Sequence, residues 1–225
     1  MILTIAAIES EKDLARIDDL VAQLEWRDGA RTAGATARAV KQNEQADMNG
    51  KAGRDLGAML LSAIEDHPVV RAAARPRRMS NVLVSKTRDG GHYGPHVDNA
   101  MMRKGTASLR SDVSFTLFLS APDTYEGGEL TIHSAGSTQS VKGKRGQLVL
   151  YPSSSIHEVR PVTSGERIVC VGWIESLLAD PSQRELLFDL ENLRSTMRRS
   201  LPANSAEMLT LDKSIANLLR MWASV

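Results

Sequence analysis

An imidazole and a carboxylate stand two residues apart at His96 and Asp98, in Tyr93-Gly94-Pro95-His96-Val97-Asp98-Asn99, just past a Gly90-Gly91 turn. In an extended segment residues i and i+2 project from the same face, so both side chains can turn towards one ion. A second imidazole, His157, follows Pro152-Ser153-Ser154-Ser155-Ile156, at the start of an expected strand. Two imidazoles and one carboxylate on one face of an octahedral ion leave three positions open, the donor set of a non-haem ferrous site. A bidentate 2-oxo acid fits two of those positions and dioxygen the third. Arg167 lies ten residues beyond His157. Its permanently charged, forked guanidinium suits a carboxylate held away from the metal. Taken alone Arg167 reads as a surface residue closing a turn; beside the other three it reads as a co-substrate anchor.

Other candidates are weaker. His92, four residues before His96, would need a helix to share its face, and Gly90, Gly91, Gly94 and Pro95 oppose one. His133 ends a strand with no acidic partner in a ligand-like spacing. Glu126 and Glu129 flank a Gly-Gly turn and read as solvated or structural. His67 reads as a solvated or capping residue at a helix end. Cys170, the single cysteine, falls in an apolar strand, where a buried inert thiol is expected. One cysteine permits neither an internal disulfide nor a thiolate cluster, which fits a reducing compartment.

The elements that must position these residues change texture along the chain. At 225 residues, with 42% apolar and 24% charged residues, the chain can bury a core as one domain with appendages. A net charge of +1 gives no support to a duplex nucleic-acid partner. The N-terminus lacks the plan of a signal peptide, and no apolar run approaches the roughly 20 residues that span a bilayer, so a cytoplasmic location without membrane partners is expected. Residues 2–8 read as a strand. Ser10-x-x-Asp13 then opens a helix with Leu14, Ile17, Leu20, Val21 and Leu24 on one stripe. Residues 27–50 are polar and read as strand or loop. A second helix at 51–66 closes near His67-Pro68, and Arg75-Pro76-Arg77-Arg78 reads as a solvated linker.

From residue 80 short β runs take over: 81–85, 112–120, a strand from the Tyr125–Leu130 turn to His133, then 147–151, 156–161 and 167–174. Their number and spacing predict a β-sandwich or barrel. Residues 99–112 read as a loop forming a lid or substrate wall, its Met101, Met102, Arg103, Lys104 and Arg110 suiting either a polar or an apolar ligand. After Trp173 the pattern turns helical, at 181–199 and 204–222. These helices either cap the end of the barrel or form a homodimer face.

His96-x-Asp98, His157 and Arg167 resemble the signature of Fe(II)- and 2-oxoglutarate-dependent dioxygenases. The surrounding text is similar to PKHD-type hydroxylases of the PiuC-like group: His96-Val97-Asp98-Asn99-Ala100, Asp112 to Leu119, Tyr125-Glu126-Gly127-Gly128-Glu129-Leu130, Tyr151 to Val159, and Gly165-Glu166-Arg167. The likeness is most specific over residues 80–177. It implies a double-stranded β-helix (jelly-roll) core, mainly β with N-terminal helices and a C-terminal helical extension. The division expected is a 1–79 α/β flanking segment, an 80–177 dioxygenase domain and a 178–225 extension.

The resemblance further implies that His96, Asp98 and His157 bind Fe(2+), and that Arg167 reaches 2-oxoglutarate from the opposite sheet. Tyr93 matches a tyrosine lining that pocket. The implied reaction consumes O2 and 2-oxoglutarate, releases succinate and CO2, and hydroxylates a small-molecule or peptide substrate, with L-ascorbate keeping the iron ferrous and a link to iron acquisition. A non-catalytic cupin-like barrel holding another divalent ion is the competing reading. It lacks the clustered His-x-His and following Glu of a cupin and leaves Arg167 without a task. A nucleic-acid demethylating relative would share the iron chemistry, but the near-neutral charge gives it no support.

Overall fold

Consecutive strands of the core alternate between two sheets, and this alternation defines the architecture. Val113–Phe118, Gln147–Pro152 and Arg167–Ser176 lie in one sheet, while Leu130–Ser134 and Ile156–Val159, which come between them in sequence, lie in the other. Leu83–Thr87 and His92–His96 repeat the alternation earlier in the chain. The result is a double-stranded β-helix in which the pairings among the described residues of its two principal sheets are all antiparallel. The computed structural model describes residues 1–29, 40–104 and 107–224.

The larger sheet runs Leu3–Ala6, Gln147–Pro152, Val113–Phe118, Arg167–Ser176, Leu83–Thr87, Glu44–Ala46, Trp26–Asp28, and Pro76–Met79 pairs with the far end of Arg167–Ser176. The smaller sheet runs Ser137–Val141, Leu130–Ser134, Ile156–Val159, His92–His96, Lys41–Gln42. The helices Glu11–Val21 and Lys51–Glu65 cover the outer face of the larger sheet. Ser10 caps the first, its hydroxyl accepting from the Asp13 N–H at 3.3 Å. Leu14, Ile17 and Leu20 then join Leu56, Leu60 and Ile64 against Phe115, Leu117, Leu148 and Leu150 in the main core. Fully burying such side chains contributes about 1.5–3 kcal/mol each, which is why the two amphipathic stripes fix both helices to the sheet.

Val113–Phe118 is buried at every residue, although its sequence alternates apolar with hydroxyl side chains. Phe115 and Leu117 meet the helices, whereas Ser114 and Thr116 line an internal cavity. The polar alternation marks a cavity wall rather than a solvent face.

The 27–50 region, read as strand or loop, carries the short strands Trp26–Asp28, Lys41–Gln42 and Glu44–Ala46, with residues 30–39 outside the described ones. His67 is a capping residue, one of its two expected roles: its Nδ1 accepts from the Val69 N–H at 3.2 Å at the start of a short helix, Pro68–Ala74, which the sequence reading did not include. Other expectations are corrected. The basic cluster is no solvated linker: it runs into the paired strand Pro76–Met79, and Arg77 and Arg78 bind the buried Glu175 carboxylate at 3.2 and 2.6 Å. Residues 99–112 contain a hairpin, Met101–Lys104 with Ala107–Arg110, not an irregular loop. Ser137–Val141, exposed along most of its length, carries no apolar alternation that would have announced a strand.

The closing helices Pro181–Met197 and Ala206–Trp222 pack together around Leu178, Leu187 and Ile215. They seat against the Pro68–Ala74 helix, where Arg75 and Glu191 form a largely buried ion pair at 2.7 Å. No helix among the described residues is long and apolar enough to cross a membrane.

Candidate metal and co-substrate site

His96 is the last residue of its strand and His157 the second of its own, and the two are register partners across the smaller sheet. Asp98 does not share the strand, as its spacing had suggested; the strand ends at His96 and Asp98 sits in the segment that follows. A hydrogen bond brings it back: the Ser114 hydroxyl of the opposite sheet donates to Asp98 Oδ2 at 2.6 Å. Ligand atoms of His96, Asp98 and His157 all lie within 4.8 Å of one another, and His157 Nε2 stands 3.7 Å from Asp98 Oδ2.

Backbone carbonyls orient both rings. His96 Nδ1 lies 2.8 Å from the Gly94 oxygen and His157 Nδ1 lies 3.1 Å from the Ser155 oxygen. With a proton on each Nδ1 donated to those carbonyls, each Nε2 keeps a lone pair for a metal. Burial, reinforced by the neighbouring His157, lowers the His96 pKa to about 4, so its ring is neutral at pH 7, as a ligand must be. The Tyr93 ring stacks on His96 at 3.6 Å and 16°, and the Tyr151 ring meets His157 edge-on at 5.0 Å. Burial, and then the Asp98 charge, push the Tyr93 phenol up to about 12. Two imidazoles and one carboxylate, with no thiolate, form a donor set that fits ferrous iron.

Arg167 opens the Arg167–Ser176 strand in the larger sheet, across the interior from His157. It is only 2% exposed, and its Nε and Nη2 have no hydrogen-bond partner among the described residues. Phe118 lies under the guanidinium at 5.5 Å. Gly128, at φ +71°, packs over the side chain so closely that a Cβ there would come 2.8 Å from Arg167 Cδ. Burial pulls the Arg167 pKa down, opposed by nearby Tyr125 and Tyr151. A buried donor left unsatisfied costs about 1–3 kcal/mol, more when charged. A carboxylate bound here would relieve that cost, so the side chain fits the distal end of 2-oxoglutarate.

A cavity of about 130 Å³ connects these groups, lined among others by Tyr93, His96, Asp98, His157 and Arg167. Lys41, Asn43 and Gln45 also line it, as do Ser114 and Thr116, and the sequence reading passed over all five. Their i, i+2, i+4 polar spacing was the available signal. Burial lowers the Lys41 pKa to about 8, partly offset by Asp28 and Asp98.

His92 and His133 stand outside the ligand cluster. His92 Nδ1 faces the Gly90 carbonyl at 3.4 Å, and His133 Nε2 lies 3.6 Å from Glu158, a neighbour distant in sequence. Cys170 is buried, and burial raises its thiol pKa.

Comparison with known proteins agrees with this geometry. Residues 80–175 match the 2OG-Fe(II) oxygenase superfamily, and residues 182–224 match the PKHD-type hydroxylase C-terminal domain. A PKHD-type hydroxylase of Hyphomonas neptunium is 48% identical over 99% of this chain and 100% of its own length. The chain belongs to the PKHD-type hydroxylase family. A second member, from Acaryochloris marina, is 45% identical over 99% of this chain and all of its own. Like other PKHD-type hydroxylases, the protein is a 2-oxoglutarate-dependent dioxygenase.

Two solved structures share the fold. A prolyl hydroxylase from Trichoplax adhaerens, in complex with a hypoxia inducible factor peptide fragment, superposes with a TM-score of 0.58 at 16% identity, covering 77% of this chain and 83% of that one. HygX from Streptomyces hygroscopicus, with nickel, 2-oxoglutarate and hygromycin B bound, gives 0.53 at 13% identity, covering 79% and 84%.

Proposed function

We propose that His96, Asp98 and His157 hold the iron of this hydroxylase, that Arg167 binds the distal carboxylate of 2-oxoglutarate, and that Tyr93 walls the co-substrate pocket. The observation that supports the reading best is the pairing of a three-ligand cluster with a buried guanidinium, two of whose nitrogens, Nε and Nη2, have no hydrogen-bond partner among the described residues, on facing sheets of one cavity. Iron and 2-oxoglutarate supply, when bound, the oxidative decarboxylation that delivers one oxygen atom to a C–H bond. The chain's own part is positioning and exclusion of water. The Nδ1 contacts to Gly94 and Ser155 fix the rings, Ser114 holds Asp98, and Phe118 with Gly128 confines Arg167 to one direction.

The catalytic unit in this proposal is residues 80–177, flanked by 1–79 and extended by 178–225. The substrate is a small molecule or peptide in the cytoplasm, with L-ascorbate sustaining ferrous iron and iron acquisition as the process served. A homodimer through the closing helices completes it, for which light scattering of the full chain is the check. The test of the reaction is purified protein with Fe(II), 2-oxoglutarate and O2. Succinate should form without added substrate, and Asp98→Ala should abolish it. Succinate formation undiminished by Asp98→Ala would overturn the ligand assignment. Untargeted comparison of metabolites from cells carrying the two forms should then reveal a product one oxygen heavier.

A further inference from the structure

Every second residue of the Arg167–Ser176 strand shares a face, and Arg167, Val169, Val171 and Trp173 all line the cavity. Arg167 and Val169 are buried, whereas Val171 and Trp173 are partly exposed. The cavity is therefore closed around the guanidinium and opens towards the indole. At a rise of about 3.3 Å per residue, Trp173 lies roughly 20 Å along the strand from Arg167. A five-carbon acid anchored at Arg167 does not span that distance, which leaves the Trp173 end to a different molecule.

Register places the indole beside the metal ligands. Trp173 pairs directly with Ser114, whose hydroxyl donates to Asp98 Oδ2 at 2.6 Å. Side chains opposed in this way have Cβ atoms about 4.5–5.5 Å apart. The Trp173 backbone is held from its other neighbour, its N–H donating to Ser80 Oγ at 3.0 Å and its carbonyl accepting from the Ser80 N–H at 2.9 Å. Yet the side-chain Nε1 is buried and has no hydrogen-bond partner among the described residues. Buried indole N–H groups usually find a partner, and leaving one unmade costs free energy.

An indole N–H is a donor only and carries no charge. Its neighbours on the same face are Ser114 and Val171, and Val171 pairs with Leu83, so a charged group brought here would meet no opposite charge from them. The hairpin that carries Met102 is tied to this end of the strand by the Arg110 N–H, which donates to Glu175 at 3.2 Å. Met102 and the exposed Val97 also line the cavity. An apolar wall with a single placed donor orients a mostly apolar ligand through one acceptor. Resting on the metal and co-substrate assignment above, we propose that Trp173 is a specificity-determining residue: its Nε1–H donates to an uncharged carbonyl, an amide in the simplest case, of a primary substrate whose apolar body lies against Leu83, Val171 and Met102. The hydrogen bond fixes that carbonyl relative to the metal, so the position hydroxylated is set by its distance from the amide.

The test uses full-length protein with isotope-labelled tryptophan, loaded with Zn(II) and 2-oxoglutarate, which cannot turn over. The chain has three tryptophans, and Trp173→Phe identifies the Trp173 indole signal in NMR spectra by its loss. Titration with N-acetyl-leucine methylamide, a neutral amide with an apolar side chain, should move that Nε1–H signal downfield and leave those of Trp26 and Trp222 in place. Trp173→Phe keeps an aromatic ring without the donor. It should bind the amide roughly three- to tenfold more weakly, the scale of one neutral hydrogen bond, and bind 2-oxoglutarate as the wild type does. N-acetyl-leucine, the matching carboxylate, should bind the wild type no better than the amide. An unmoved Trp173 signal at high amide concentration, equal amide affinity in Trp173→Phe, or a preference for the carboxylate overturns the proposal. So does a weakened 2-oxoglutarate affinity in Trp173→Phe, which would make Trp173 part of the co-substrate site. Failure of the wild type to bind 2-oxoglutarate would instead defeat the underlying assignment, a separate and recognisable result.

Discussion

Replacing Ser114 with Ala should weaken metal binding although Ser114 is not itself a proposed ligand. Its hydroxyl lies 2.6 Å from Asp98 Oδ2 and 2.7 Å from Ser153 Oγ, and it is 1% exposed. A hydroxyl carries one proton. With that proton given to Asp98, Ser153 must donate to Ser114, so a relay of two hydroxyls aims at one carboxylate oxygen. Asp98 lies beyond the end of the His92–His96 strand, so no ladder hydrogen bond at its own position holds it in place. Ser114→Ala removes the bond that does, and strands the buried Ser153 hydroxyl. A hydrogen bond to a charged group contributes about 1.5–3 kcal/mol. That matches the roughly 10–100-fold affinity loss seen when partners of metal ligands are removed. Competition titrations with a chromophoric chelator, on Fe(II) under anaerobic conditions or on Mn(II), measure this directly. Urea unfolding of the metal-free variant separates a general loss of stability from a loss at the site. A metal affinity within about twofold of the wild type would refute the argument that Ser114 positions Asp98.

Three further outcomes follow from other parts of the molecule. Arg167→Ala should raise the dissociation constant of 2-oxoglutarate by about 100-fold or more, the scale of a buried bidentate ion pair, while leaving metal affinity nearly unchanged; calorimetry on the Zn(II)-loaded protein reads both. The buried Cys170, its thiol pushed up by burial, should resist iodoacetamide at pH 8 in the native state and react once urea unfolds the chain, which mass spectrometry detects. Burial alone would raise the Glu175 pKa, but the Arg110 N–H and the Arg78 and Arg77 guanidinium groups outweigh it and hold the carboxyl below the ordinary 4.5. A folded pKa below the unfolded one gives stability that is present above about pH 4.5 and lost as pH falls through the folded value. Glu175→Gln should therefore lower the urea midpoint at pH 7, and the gap to the wild type should narrow as pH falls below about 4.5.

Much of the site was legible because its chemistry depends on residue type and order. His-x-Asp, a distal histidine after a turn and an arginine ten residues on are few enough to stand out, and the facing sheets put them around one cavity. The strand sharing expected of His96 and Asp98 failed, because the ladder to Ile156–Val159 stops at the His157–His96 pair. What the sequence hid was polarity turned inward. Ser114 and Thr116 look like the wet face of a half-buried strand, and Lys41, Asn43 and Gln45 like a solvated loop, since periodicity reports alternation but not which side meets water. The Pro68–Ala74 helix escaped because a proline that ends one helix also serves as the first residue of the next. Arg77 and Arg78 were read as solvated because their partner, Glu175, lies about a hundred residues away, where no local pattern can announce it.

The alternation of strands between sheets also bears on when the site comes into being. His96 and His157 become neighbours only through a pairing of strands 61 residues apart, with Val113–Phe118 and Gln147–Pro152 already belonging to the other sheet. Pairings of that separation carry a large loop-closure cost and form slowly. On the proposed ligand assignment, a nascent chain therefore presents single imidazoles rather than a metal site, and the ion would be captured by the finished barrel. Bound metal then acts as a lock, stabilising the native state in proportion to the logarithm of its concentration over its dissociation constant. Cellular iron supply would in this way govern how long the folded protein survives as well as how fast it turns over.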